Sequence, residues 1–147
     1  MKFFTSEWWA SGSAESMEVF SRYEAHLASI RDSLPPSLVQ FKEEHTLHDS
    51  EVKHIECNFL NRSLSMKLLG WDLKLENKVC YTLQFFDVSS FDQALPQQEL
   101  VESELGDIGY WEISLVCKEV EVCILFVSGA EFRVLFRGFG FSHERLA

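Results

Sequence analysis

The chain has 147 residues and a formal net charge of −10, from 13 Lys and Arg against 23 Asp and Glu, with 46% hydrophobic and 24% charged residues. That length suits one core, and the composition is that of a folded globular domain rather than a disordered chain, so 1–147 is expected to form a single domain. The negative charge disfavours nucleic acid and anionic membrane as partners, and no apolar run approaches the roughly 20 residues of a membrane span.

The N-terminal segment reaches Glu7 before any apolar stretch long enough for a signal-peptide core, so a cytoplasmic location is expected. Within it, Phe3 to Trp9 reads FFTSEWW. These aromatics suit a hydrophobic staple or an edge strand packed on a sheet; the competing reading makes Trp8 and Trp9 an exposed anchor for a partner. From Ser13 to Leu34 the apolar residues Met17, Phe20, Tyr23, Leu27, Ile30 and Leu34 recur every three or four positions, which predicts an amphipathic helix. Ser13 or Ser16 can cap it, and Pro35-Pro36 stops it because proline lacks the amide. Ser37-x-x-Gln40 has the form of a capping box, and Leu38 and Phe41 give a second short helix ending near His45. The helical part therefore spans about 13–45.

From Glu51 the period changes from 3.6 to 2, and the sheet part spans about 51–142. Ile55, Cys57 and Phe59 alternate in one strand, and Leu64, Met66 and Leu68 in the next. A two-residue turn at Asn61-Arg62 would pair Phe59 with Leu64, Cys57 with Met66, Ile55 with Leu68 and Glu56 with Lys67. A third strand fits Val79 to Val88, and Ser89 to Gly109 reads as an acidic loop with a short element at 100–105. Trp111, Ile113 and Leu115 alternate in a further strand. Val120 to Val127 is apolar on both faces and predicts a central strand. Ser128 to Glu131 is its hairpin turn, and Phe132, Val134 and Phe136 alternate beyond it. The expected fold is α+β: two N-terminal helices followed by a mainly antiparallel meander sheet of six or seven strands, with the helices covering one sheet face.

The stretch His45 to His54, HTLHDSEVKH, holds three of the five histidines. If the second helix continued, His45 and His48 would share a face, Asp49 or Glu51 could complete a His/His/carboxylate metal set with His54 nearby, and an open coordination position would permit hydrolysis. The change of period near residue 50 favours a plain helix-to-strand junction, with Asp49 or Ser50 capping backbone amides, His48 bonded to Asp49, and His54 beside Glu56 on the polar face. The four cysteines have no Cys-x-x-Cys spacing and sit in apolar runs that suit small buried thiols. No Ser lies in a Gly-x-Ser-x-Gly elbow, and Gly138-Phe139-Gly140-Phe141 lacks the Lys of a phosphate loop and reads as a strand end. No catalytic residue and no cofactor is assigned on these grounds.

KFFTSEWW, LHDSEVKHIE and EFRVLFRGFGF, in that order, resemble a bacterial family of small cytosolic proteins with a domain of unknown function. The resemblance implies bacterial origin and a helix-then-sheet order, and supplies no activity. In type, through charge, size and an acidic segment, the chain is also similar to immunity proteins, which neutralise a toxin by masking its often basic active site. The expected function is a non-enzymatic protein-binding module of this kind. Glu99, Glu102, Glu104 and Asp107 would meet a basic protein partner, with an aromatic anchor from Trp8, Trp9 or Trp111. The alternative is a metal-binding protein or metal-dependent hydrolase built on His45, His48, Asp49 and His54; a homodimer formed through a strand edge is a third reading.

Overall fold

A computed structural model describes residues 1–11, 16–95 and 105–146. Helix α1 (Ser6–Ala10) is followed by α2 (Ser16–Ile30), a 3-10 turn (Arg31–Ser33) and α3 (Pro36–Glu44). Eight strands follow: β1 (Glu51–Asn58), β2 (Ser63–Trp71), β3 (Lys78–Phe86), β4 (Ser90–Ala94), β5 (Ile108–Val116), β6 (Glu119–Phe126), β7 (Glu131–Phe136) and β8 (Gly138–Arg145). The α+β class and the antiparallel pairing stand as expected. The single meander of six or seven strands does not, because the strands form two four-stranded sheets, ordered β1-β2-β3-β8 and β4-β7-β6-β5. No helix among the described residues is long and apolar enough to cross a membrane.

The helical half also differs in detail. The aromatic segment forms neither a staple nor an edge strand: Thr5 accepts a hydrogen bond from the Trp8 amide at 3.0 Å and caps a short helix, α1. The predicted capping box at Ser37 is absent. Pro36 takes the first helical position of α3, where its missing amide costs nothing, and the Ser37 hydroxyl donates instead to the Phe139 carbonyl.

The β1–β2 hairpin pairs Cys57 with Leu64, Ile55 with Met66 and Glu56 with Ser65, two residues away from the expected register. The cause is local. The Asn58 carboxamide oxygen accepts from the amides of Leu60 and Asn61, which ends the strand early and makes 59–62 a four-residue loop with Arg62 at φ 56°. A slip of two keeps every side chain on its face, so the apolar face survived the error while Phe59 and Leu60 moved into solvent, 92% and 97% exposed. A further strand, β4, occupies part of the expected loop, pairing Phe91 with Val134 of β7. Strand β6 is central, as expected, and buried on both faces, although one face carries Glu121 paired with Arg133 at 2.6 Å, and Gly129 (φ 91°) turns the chain into β7.

The two sheets share one core. Leu64, Met66, Leu68, Tyr81, Leu83 and Phe85 of the first sheet meet Ile113, Val122, Ile124, Phe132, Val134 and Phe136 of the second, with the Phe85 and Phe136 rings 4.9 Å apart. Helix α3 packs along β8 and α2 along β5. Phe41 of α3, fully buried, sets its ring edge-on to Tyr81, Trp111, Phe139 and Phe141 at 5.1–6.0 Å, and so closes the side where β8 and β5 lie. The opposite side, between β1 and β4, carries no helix among the described residues. The expectation of uniformly buried thiols is corrected as well: Cys123 is buried and Cys80 half-buried, but Cys57 lies on a free edge strand and Cys117 in the β5–β6 turn, both exposed.

Candidate functional site

The outer face of the second sheet is where the N-terminal aromatics gather. Glu112, on β5 and 2% exposed, accepts hydrogen bonds from the amides of Lys2, Phe3 and Phe4 at 2.8–3.1 Å. A buried carboxylate is tolerable only when its oxygens are satisfied, and here three backbone donors satisfy it while fixing the N-terminal segment to the sheet. Tyr23 of α2 locks the neighbouring element: its hydroxyl accepts from the Ile113 amide at 2.8 Å, and burial raises its pKa above the ordinary range.

These two anchors position a cluster of rings. Phe4 lies at its centre, 5.0–5.4 Å from Tyr23, Phe20, Tyr110 and Trp8. Trp8 and Trp9 each present an edge to Tyr110, at 5.0 and 5.2 Å. Trp9 lies directly over Gly109, where an added Cβ would come within 2.3 Å of the indole, so glycine is required for this approach. Part of the cluster stays in solvent: Trp9 is 36% and Phe20 42% exposed. Two hollows border the cluster. One of about 350 Å³ is lined by Phe20, Tyr110, His48 and Lys42; the other, also about 350 Å³, lies between Trp9 and the β6–β7 turn at Val127. Volumes of this size accept a side chain or two from a partner.

The histidine-rich stretch is dispersed around this framework. His45 packs against His143 with ring centroids 4.5 Å apart, and its Nδ1 lies 3.1 Å from the Tyr81 hydroxyl, which itself donates to the Trp71 carbonyl at 2.9 Å. Burial and the nearby His143 lower the His45 pKa, while burial first and the Asp72 charge second push Tyr81 up to about 12. His48 points elsewhere, its Nδ1 2.8 Å from the Gly109 carbonyl and its Nε2 3.6 Å from Asp49 Oδ1. The carbonyl can only accept, so Nδ1 carries the proton. His54 is exposed on the outer face of β1, opposite Lys67. Among the described residues no three His, Cys, Asp or Glu side chains are placed to hold a metal ion.

What the stretch does is join the two sheets. The Asp49 amide donates to the Ile108 carbonyl at 2.9 Å and the Ile108 amide to the Ser50 carbonyl at 2.8 Å, so backbone pairing replaces the expected side-chain caps. Ser50 is fully buried against Gly70, whose missing Cβ would otherwise fall 2.1 Å from the Ser50 hydroxyl.

Of the expected partner-contacting residues, Trp8 and Trp9 come together on α1, whereas Trp111 is half-buried with its ring against Phe41 and also lines the hollow beside Phe20 and His48. Asp107 is exposed beside Val127, whose amide donates to its carbonyl at 2.9 Å; Glu99, Glu102 and Glu104 lie outside the described residues. Sequence reasoning missed Glu112 and Tyr110. Both fall on the face of β5 opposite Trp111, Ile113 and Leu115, and simple alternation assigned that face to solvent. No protein-family model matches the chain, and no curated protein matches it.

Proposed function

We propose that the protein is a non-enzymatic protein-binding module that docks a basic partner on the α1–α2 aromatic surface, in its most concrete form an immunity-type protein masking a partner's basic active site. One observation carries the reading: Trp9 and Phe20 stand partly in solvent on a buried ring cluster, beside two side-chain-sized hollows. Exposed aromatic side chains held rigidly lose little entropy on binding and are the residue types that dominate binding hot spots. The net charge of −10 supplies long-range attraction for a cationic partner and accounts for its choice over nucleic acid.

The test is affinity capture from the native host at low salt, with wild type and a Trp9→Ala/Phe20→Ala variant side by side. The expected result is one basic protein retained by wild type, released by raised salt and lost in the variant. Retention of the same protein by the variant, or no basic protein at all, overturns the reading.

A further inference from the structure

The side of the sandwich away from the helices holds a hollow of about 690 Å³ between β1 and β4. Ile55, Cys57, Leu64, Val88 and Phe91 give it apolar walls from both sheets. Its volume falls within the range of small-molecule sites, about 300–1,000 Å³. The charge around it is unlike that of the rest of the molecule. Although carboxylates outnumber cations 23 to 13 in the chain, the lining among the described residues contains no carboxylate and one cation, Arg62.

The backbone of Arg62 is held in place, and its side chain is exposed. Its carbonyl accepts from the Val88 amide at 2.9 Å, tying the hairpin loop to the chain entering β4, while its guanidinium has no ion pair or hydrogen-bond partner among the described residues. Of the carboxylates near it, Asp92 lies on the other face of β4 with Arg133 at 3.4 Å, and Glu119 accepts from the Ser89 hydroxyl at 2.6 Å. The loop itself is pinned by Asn58 and by Asn61, whose carboxamide oxygen accepts from the Ser63 amide and hydroxyl at 3.2 and 2.6 Å.

We infer that this cleft binds an amphipathic carboxylate, with the apolar body between the two sheets and the carboxylate on Arg62. Planar guanidinium and carboxylate pair through two parallel hydrogen bonds, and the apolar walls reward an aliphatic or aromatic body. A cationic or purely polar ligand gains neither contact. The site is separate from the aromatic surface on α1–α2, so either reading can fall without the other.

The experiment titrates wild type and Arg62→Gln with dodecanoate below its micellar concentration, and with dodecanol and dodecyltrimethylammonium as controls, by calorimetry. Wild type is expected to bind dodecanoate at least about tenfold more tightly than Arg62→Gln does, while dodecanol binding changes little. A second readout needs no variant: maleimide labelling of Cys57, which lines the cleft, resolved by peptide mass spectrometry, should slow with dodecanoate present, while Cys117, exposed in the β5–β6 turn and outside the lining, serves as the internal reference. Absence of dodecanoate binding, equal binding by Arg62→Gln, or equal protection of Cys57 and Cys117 overturns the proposal.

Discussion

The two open sides of this sandwich received opposite treatments. Where β8 and β5 run, α3 inserts Phe41 between the sheets, fully buried among four aromatic rings. Where β1 and β4 run, apolar side chains line a cleft and a hairpin tip places Phe59 and Leu60 almost wholly in solvent. The same kinds of residue therefore contribute stability on one side and, on the other, leave surface free for a ligand. Burial is what separates the two cases, since an apolar side chain stabilises only in proportion to the area it removes from water.

The largest break in this contrast should come from Phe41→Ala, which is expected to cost about 3–5 kcal/mol in urea unfolding, because deleting a fully buried ring leaves a cavity between the sheets. A loss under about 1 kcal/mol would mean that α3 does not hold the two sheets together. Glu112→Ala should follow, at about 2–3 kcal/mol, since three amides lose their acceptor. In the same variant iodide should quench tryptophan fluorescence more efficiently than in wild type, as the N-terminal rings detach from β5; unchanged quenching would show that the ring cluster holds without its carboxylate.

A smaller effect sharpens the helix side. The His45 pKa is lowered in the folded protein, so the unfolded chain binds the proton more readily, and stability present above the unfolded value near 6.5 is lost as pH falls through the lowered folded value. Between pH 7.5 and 5.5 wild type should therefore lose more melting temperature than His45→Asn; identical slopes would remove His45 from the account. The open side should respond least: Phe59→Ser/Leu60→Ser is expected within about 0.5 kcal/mol of wild type by urea unfolding, because neither side chain is buried. A loss above about 1.5 kcal/mol would show that the tip is covered in solution.

The faces of most strands and the two longer helices were determined by the chain itself. Side-chain direction alternates along any strand and returns every 3.6 residues along any helix, so Leu64, Met66 and Leu68, or Tyr23, Leu27 and Ile30, declare their common face through local backbone geometry alone. That is why the β1–β2 register could be misjudged by two residues with its apolar face intact. The short helix α1 had no period long enough to show itself, and its cap at Thr5 was obscured by the surrounding aromatics. Which strands become neighbours was decided only by the tertiary structure. Pairing β3 with β8, or β4 with β7, joins segments far apart in the chain through backbone hydrogen bonds that carry no residue code, and it splits one expected sheet into two. The candidate sites follow from that division: Glu112 meets the N-terminal amides only because the second sheet turns an outer face to α1 and α2, and Arg62 lines a cleft only because β1 and β4 come to face each other.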